Sequence, residues 1–202
     1  MADNNQLIIT ISREYGSLGH LIADKLGEEL GMPVLDRAFF FKMAENHGID
    51  PKFIHAYDEK KRNVLLTRTR RGHSNSMEDI VADMIAKYIR ELAETGDSFI
   101  IVGRSAQWVL RDYDNLIRVF VAADFDTKVE RIMEHENVEK EEAQKIVKKN
   151  DKKREKYFEY YTGLKWKDAD NYDIMIDSAK IGVDGAEKII RDFVDIWTAA
   201  GK

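Results

Sequence analysis

The run Leu7-Ile-Ile-Thr-Ile-Ser12, followed at once by Arg13-Glu-Tyr-Gly-Ser-Leu-Gly19 and an amphipathic stretch from His20 to Gly31, constrains this chain more than any other segment. An apolar, β-branched run has strand character. A glycine-containing turn that opens straight into a helix leaves the first amides of that helix without intrahelical partners. Parallel sheets use this layout to present an anion to a helix N-terminus. The usual phosphate loop ends in Gly-Lys-Ser/Thr, whereas this turn ends in Gly19-His20-Leu21. The loop is expected here without its lysine.

Apolar runs of strand length recur at residues 33–35, 98–102, 116–122 and 172–177, with longer stretches of helical spacing between them. Residues 99–102 and 117–121 are almost unbroken apolar sequence, as strands covered on both faces must be. The expected fold class is therefore α/β, a three-layer sandwich around a five-stranded parallel sheet. In the first helix Leu21, Ile22, Leu26 and Leu30 share a face, and Gly31 with Pro33 stops it. Asp50-Pro51 marks another helix start, and Ser76-Met-Glu-Asp79 reads as a capping box. Residues 139–161 form a charged helix laced with ion pairs, docked through Tyr157, Phe158, Tyr160 and Tyr161. Residues 64–75, with Arg68, Arg70 and Arg71, read as an insert.

A chain of 202 residues that is 44% hydrophobic supports one sizeable core, so a single domain over residues 1–202 is expected. The lack of cysteine removes disulfides and thiolate chemistry together. A net charge of -5 argues against a nucleic-acid partner, since duplex binding draws on many cations. With a polar N-terminus and no apolar run near the roughly 20 residues of a membrane span, no membrane partner and a cytoplasmic location are expected.

The loop sequence also carries a family resemblance. Ser12-Arg13-Glu14-Tyr15-Gly16-Ser17-Leu18-Gly19-His20 resembles the Ser-Arg-Glu-Tyr/Phe-Gly-Ser-Gly-Gly-Arg segment of cytidylate-kinase-like proteins, a branch of the P-loop nucleoside monophosphate kinases, with Leu18 and His20 in place of Gly and Arg. Asp36 and Lys42 fall where that family places an aspartate and an arginine. Val102-Gly103-Arg104-Ser105 resembles its Asp-Gly-Arg-Asp segment with both aspartates gone. Lys128 and Arg131 resemble the start of a mobile lid, and Asp151-Lys-Lys-Arg154 keeps an Asp-x-x-Arg spacing.

The resemblance implies a P-loop kinase fold with an acceptor-binding insert at residues 37–76 and a helical lid at 126–163. It implies an ATP-dependent phosphotransferase that uses ATP with Mg2+ and acts on a CMP-like nucleoside monophosphate or related small acceptor. Ser12, Arg13, Gly16, Ser17, Gly19 and His20 would bind the ATP phosphates; Asp36, Lys42, Arg104, Asp151 and Arg154 the acceptor; Arg13, Arg131 and Arg154 would act in catalysis. None of these residues is expected to ligate a metal. The oligomeric state is left open, a homodimer among the options.

The residues support this physically, because phosphoryl transfer needs cations that gather oxyanions, and ligands of open α/β sheets bind at the carboxyl edge of the strands. Each residue has a plainer alternative. Asp36 could simply cap a helix over 37–47, Asp151 and Arg154 could form a surface ion pair, and any one arginine could be a surface salt bridge. Three functions stay open: a kinase, a catalytically impaired nucleotide-binding sensor or regulatory protein, and an interaction protein using the basic segment 68–71.

Overall fold

The structure, a computed structural model, describes residues 6–46, 50, 52, 56, 69–70, 73–74 and 76–201. Its main sheet contains β1 (Ile8–Arg13), β2 (Val34–Leu35), β5 (Phe99–Val102), β6 (Leu116–Ala122) and β7 (Ile174–Asp177) in the order β2-β5-β1-β6-β7, with every neighbouring pair parallel. The expected five strands are all present: β6 has the expected bounds, β1 is shifted by one residue, and the other three start one or two residues later. A short antiparallel pair, β3 (Thr69–Arg70) and β4 (His73–Ser74), lies outside that sheet and was not anticipated from the sequence.

Successive residues of a strand face opposite sides, and the core divides accordingly. Ile8, Phe99, Ile101 and Leu116 pack under helices α2 (Arg37–Asn46) and α3 (Met77–Glu94). Ile9, Ile11, Ile100, Val119 and Val121 pack under α1 (Gly19–Leu30) and α7 (Ser178–Ala199). This is the three-layer sandwich that unbroken apolar strands require.

Helices α4 (Ala106–Val109), α5 (Phe125–Glu136) and α6 (Lys140–Thr162) follow the carboxyl ends of β5 and β6. The last two span the expected lid. Local signals explain their ends: Asp124 accepts from the Thr127 N–H at 2.9 Å, and Ser76 accepts from the Asp79 N–H at 3.1 Å. The Asp79 carboxylate also accepts from Tyr161 Oη at 2.9 Å, which ties α6 to α3. Tyr157 and Phe158 are buried, so the aromatic end of α6 docks on the body while its remainder stays charged. The helix start at Asp50 lies largely outside the described residues, although Asp50 accepts from the Lys52 N–H at 2.8 Å. Arg68 and Arg71 lie outside them as well.

Helix α7 is broken near its start. Gly182 has φ 70° and ψ -175°, a conformation open essentially to glycine alone, so the turn at Ser178 is separate from the helix that covers the sheet.

Candidate functional site

The loop between β1 and α1 keeps its amides outward. Gly16 (φ 80°) and Leu18 (φ 60°) are left-handed, a turn geometry that points successive N–H groups to one side. Among the described residues the N–H groups of Gly16, Leu18, Gly19 and His20 have no protein acceptor. An anion is the natural partner for such a set at a helix N-terminus.

The loop is braced from below by protein. Ser178 Oγ donates to the Ser17 carbonyl at 2.7 Å, and Arg131 Nη1 donates to the Gly16 carbonyl at 3.0 Å and to Ser178 Oγ at 3.1 Å. Arg131 therefore holds the carbonyl side of the loop. Ser17 Oγ is turned back to donate to the Glu14 carbonyl at 2.8 Å, and the Ser17 N–H donates to the same carbonyl at 3.4 Å, so the expected phosphate ligand Ser17 is engaged within the loop. A Cβ at Gly16 would stand 3.0 Å from the Lys128 carbonyl, which shows how closely α5 presses on the turn.

Three of the four arginines singled out in the sequence converge. Arg13 at the end of β1, Arg104 after β5 and Arg154 on α6 line one cleft at the carboxyl edge of the sheet, together with Ser12, Tyr157 and Trp166. Arg154 Nη1 donates to the Arg13 carbonyl at 3.0 Å, and its guanidinium lies 5.4 Å from the centre of the Tyr15 ring. Burial and the hydrogen bond to Glu136 push the Tyr15 hydroxyl up to about 12. Arg104 is 3% exposed and sits over the Phe40 ring at 5.6 Å. It lies in a run of three left-handed residues, Gly103 (φ 81°), Arg104 (φ 62°) and Ser105 (φ 51°), closed by a hydrogen bond from the Ala106 N–H to the Gly103 carbonyl at 3.1 Å. Two consecutive non-glycine residues in this region are costly, and such strain collects where a side chain must be aimed.

Gly19 is sterically required. A Cβ at Gly19 would lie 2.6 Å from Arg13 Cβ and 3.1 Å from Arg13 Cγ. The stem of Arg13 thus fills the space into which a side chain at position 19 would grow.

Beside the cleft is an ion network the sequence did not announce. Glu14, 5% exposed, accepts from Lys128 Nζ at 2.9 Å, from the Ala123 N–H at 3.1 Å and from Lys167 Nζ. Lys128, 4% exposed, also reaches Asp151 at 2.8 Å. Asp151 in turn accepts from the Tyr15 N–H at 2.6 Å. Burial alone would raise the Glu14 carboxyl, but the lysines and the Ala123 N–H outweigh it and hold it below its usual value. Burial would lower Lys128, and its two carboxylates reverse that and raise it. Asp151 and Arg154 are therefore not an exposed pair on a solvated helix; both dock α6 on the loop. Pairings 114 and 23 residues apart in sequence leave no periodic signal.

The other acceptor candidates lie apart. Asp36 caps α2 by accepting from the Phe39 N–H at 2.9 Å, and it stands 3.5 Å from His20 Nε2, which is equally close to Asp24. Lys42 is exposed on α2 and does not line the arginine cleft. Among the described residues no group of three or more His, Cys, Asp or Glu could hold a metal. The carboxylates nearest the loop, Glu14 and Asp151, are taken up by lysines, so these side chains do not form a magnesium seat.

Comparison with known proteins agrees with this architecture. The chain is 25% identical over 193 residues to the cytidylate kinase of Methanocaldococcus jannaschii, covering 94% of this chain and 98% of that one. A solved structure of an uncharacterized protein from Eubacterium ventriosum matches with a TM-score of 0.73 and 33% identity over 94% of this chain and 99% of the other. The shikimate kinase of Bacteroides thetaiotaomicron shares the fold, with a TM-score of 0.56 at 10% identity over 94% and 98% of the two chains. The profile of the cytidylate kinase-like family matches residues 8–180, and the chain belongs to that family.

Proposed function

We propose that this protein transfers the γ-phosphoryl group of ATP to a nucleoside monophosphate of the CMP type. The observation that carries this reading is the convergence of Arg13, Arg104 and Arg154, from three distant stretches of chain, on one cleft beside a loop with outward amides. A triphosphate and a monophosphate brought together need such a set, because their like charges must be neutralised before an acceptor oxygen approaches the γ-phosphorus. In the step itself an oxygen of the acceptor phosphate bonds to the γ-phosphorus, the bond from that phosphorus to the β,γ-bridging oxygen breaks, and ADP leaves with its electron pair.

The loop amides would hold the donor's β-phosphate. Arg13 would supply the cation that a loop lysine supplies elsewhere, from the strand side instead of the helix side. Arg104 would hold the acceptor phosphate, and Arg154, on the lid, would follow the charge as it moves. Arg131 and the Glu14–Lys128–Asp151 network would keep the loop in shape. Magnesium would arrive chelated to ATP and screen its phosphates.

A second reading, nucleotide binding without transfer, draws support from the lysine-paired state of Glu14 and Asp151, which leaves neither of these two carboxylates free for a metal. A coupled assay of ADP formation with ATP, magnesium and CMP, UMP, AMP or GMP separates the two. Transfer is expected with at least one acceptor, and Arg154→Ala is expected to slow it by about 10²–10³-fold. Ligand-dependent thermal stabilisation with no product from any of the four would establish the second reading instead.

A further inference from the structure

Above the Glu14–Lys128–Asp151 network lies a second cleft. It encloses about 550 Å³ between α5, α6 and the segment around Trp166, and Phe125, Lys148, Lys152 and Lys167 line it. Its volume falls within the roughly 300–1,000 Å³ of small-molecule sites. Trp166 lines this cleft and the arginine cleft alike, so it stands between the two.

What sets the second cleft apart is cations without counter-ions. Lys148 and Lys152 stand four residues apart on α6 and share one helical face. Like charges at that spacing repel, and a helix ordinarily answers them with an acid three or four residues away. On α6 the acids at those spacings are Asp151, three residues beyond Lys148, and Glu155, three beyond Lys152. Asp151 is committed to Lys128 and to the Tyr15 N–H. Glu155 is exposed on the rim and pairs with neither lysine among the described residues. Lys148 lies over the Phe125 ring at 5.1 Å, and Lys152 makes no ion pair among the described residues. Lys167 reaches in from the segment after α6. Its side chain is half exposed and donates to Glu14 Oε1, which leaves two of the three N–H bonds of that ammonium for an occupant.

We propose that this cleft binds the phosphate or diphosphate group of a small phosphorylated molecule, held by Lys148, Lys152 and Lys167, at a site separate from the loop and the arginine cleft. The proposal does not rest on the phosphotransferase reading. Three ammonium groups from two segments call for a multivalent anion, and lysine meets phosphate as a point charge that needs no fixed fork geometry. Glu155 on the rim offsets much of the attraction for a monoanion such as a simple carboxylate. Phe125, half-buried, offers apolar surface to the body of the molecule. The net charge of -5 disfavours a long nucleic acid, so the occupant is small.

Calorimetric titration of the full chain with inorganic pyrophosphate tests this, once alone and once with the loop filled by the β,γ-imido analogue of ATP. The wild type is expected to take up one equivalent of pyrophosphate with the analogue bound, with an affinity that falls as salt rises. Lys148→Ala combined with Lys152→Ala is expected to weaken that uptake by about tenfold or more, because two charge-assisted contacts are lost, while affinity for the analogue and the midpoint of thermal unfolding stay unchanged. No uptake of pyrophosphate, its complete block by one bound equivalent of the analogue, its displacement by acetate at equal concentration, or equal binding to wild type and double variant would each overturn the proposal. Failure of the analogue to bind would count against the kinase reading alone, since the loss of one equivalent of pyrophosphate in the double variant still decides this site.

Discussion

The two sides of the sheet edge are built on opposite principles. On the loop side, charges are answered within the protein: Glu14 accepts from two lysines and an amide, and Lys128 is shared between two carboxylates. On the side of the left-handed turn, strained backbone at Ser105 and the helix start behind it bury Ser105 Oγ and Gln107 Oε1 with no hydrogen-bond partner among the described residues. The first arrangement holds a shape whether or not anything is bound. The second leaves hydrogen bonds unmet among the described residues. For the kinase proposed above this division would be useful, because rigidity serves phosphate geometry while unmet hydrogen bonds serve discrimination.

The comparison breaks most readily at Lys128. Lys128→Met leaves Asp151 and one oxygen of Glu14 without their shared cation in a buried setting, and a loss of about 3–5 kcal/mol in chemical denaturation is expected. A loss below about 1 kcal/mol would mean that water already screens the network, and the loop side would not be internally held. Gly19→Ala comes next. Its Cβ would strike Arg13 Cβ at 2.6 Å, and an overpacking cost of about 1–3 kcal/mol is expected from thermal unfolding, since no rotamer change moves a Cβ and the two backbones must shift apart. No cost would show that the loop backbone yields without penalty. The smallest effect is the most telling. Ser105→Ala removes a hydroxyl with no partner among the described residues, so ligand-free stability is expected to stay within about 0.5 kcal/mol of wild type or to rise. A loss of 1 kcal/mol or more would place a hidden partner on Ser105 and erase the contrast between the two sides.

Much of the scaffold was legible from local chemistry. Unbroken apolar runs identified parallel strands covered on both faces, Ser76 and Asp36 announced helix starts, and the aromatic group around Tyr157 announced where a charged helix docks. The two-residue pair at 69–70 and 73–74 carried no alternation to read. The site was legible only in part. Arg13, Arg104 and Arg154 were found because each lies at a strand end or on a helix over the same edge, which is a topological rule. Lys128 was read only as part of the start of a lid, and Glu14 only as part of the loop segment, because pairing across the fold leaves no trace in sequence spacing. Ser105 was read only as a lost aspartate; its backbone conformation and its solitude are properties of the folded chain.

Gly182 gives the loop's support a mechanical independence. The short turn that begins at Ser178 carries the Ser17 carbonyl and Arg131, while the long segment after Gly182 is clamped to the sheet through Ala186, Ile190 and Val194. With a glycine pivot between them, a shift of that long segment can be taken up as rotation at one residue, and the floor beneath the loop is insulated from the far end of the molecule.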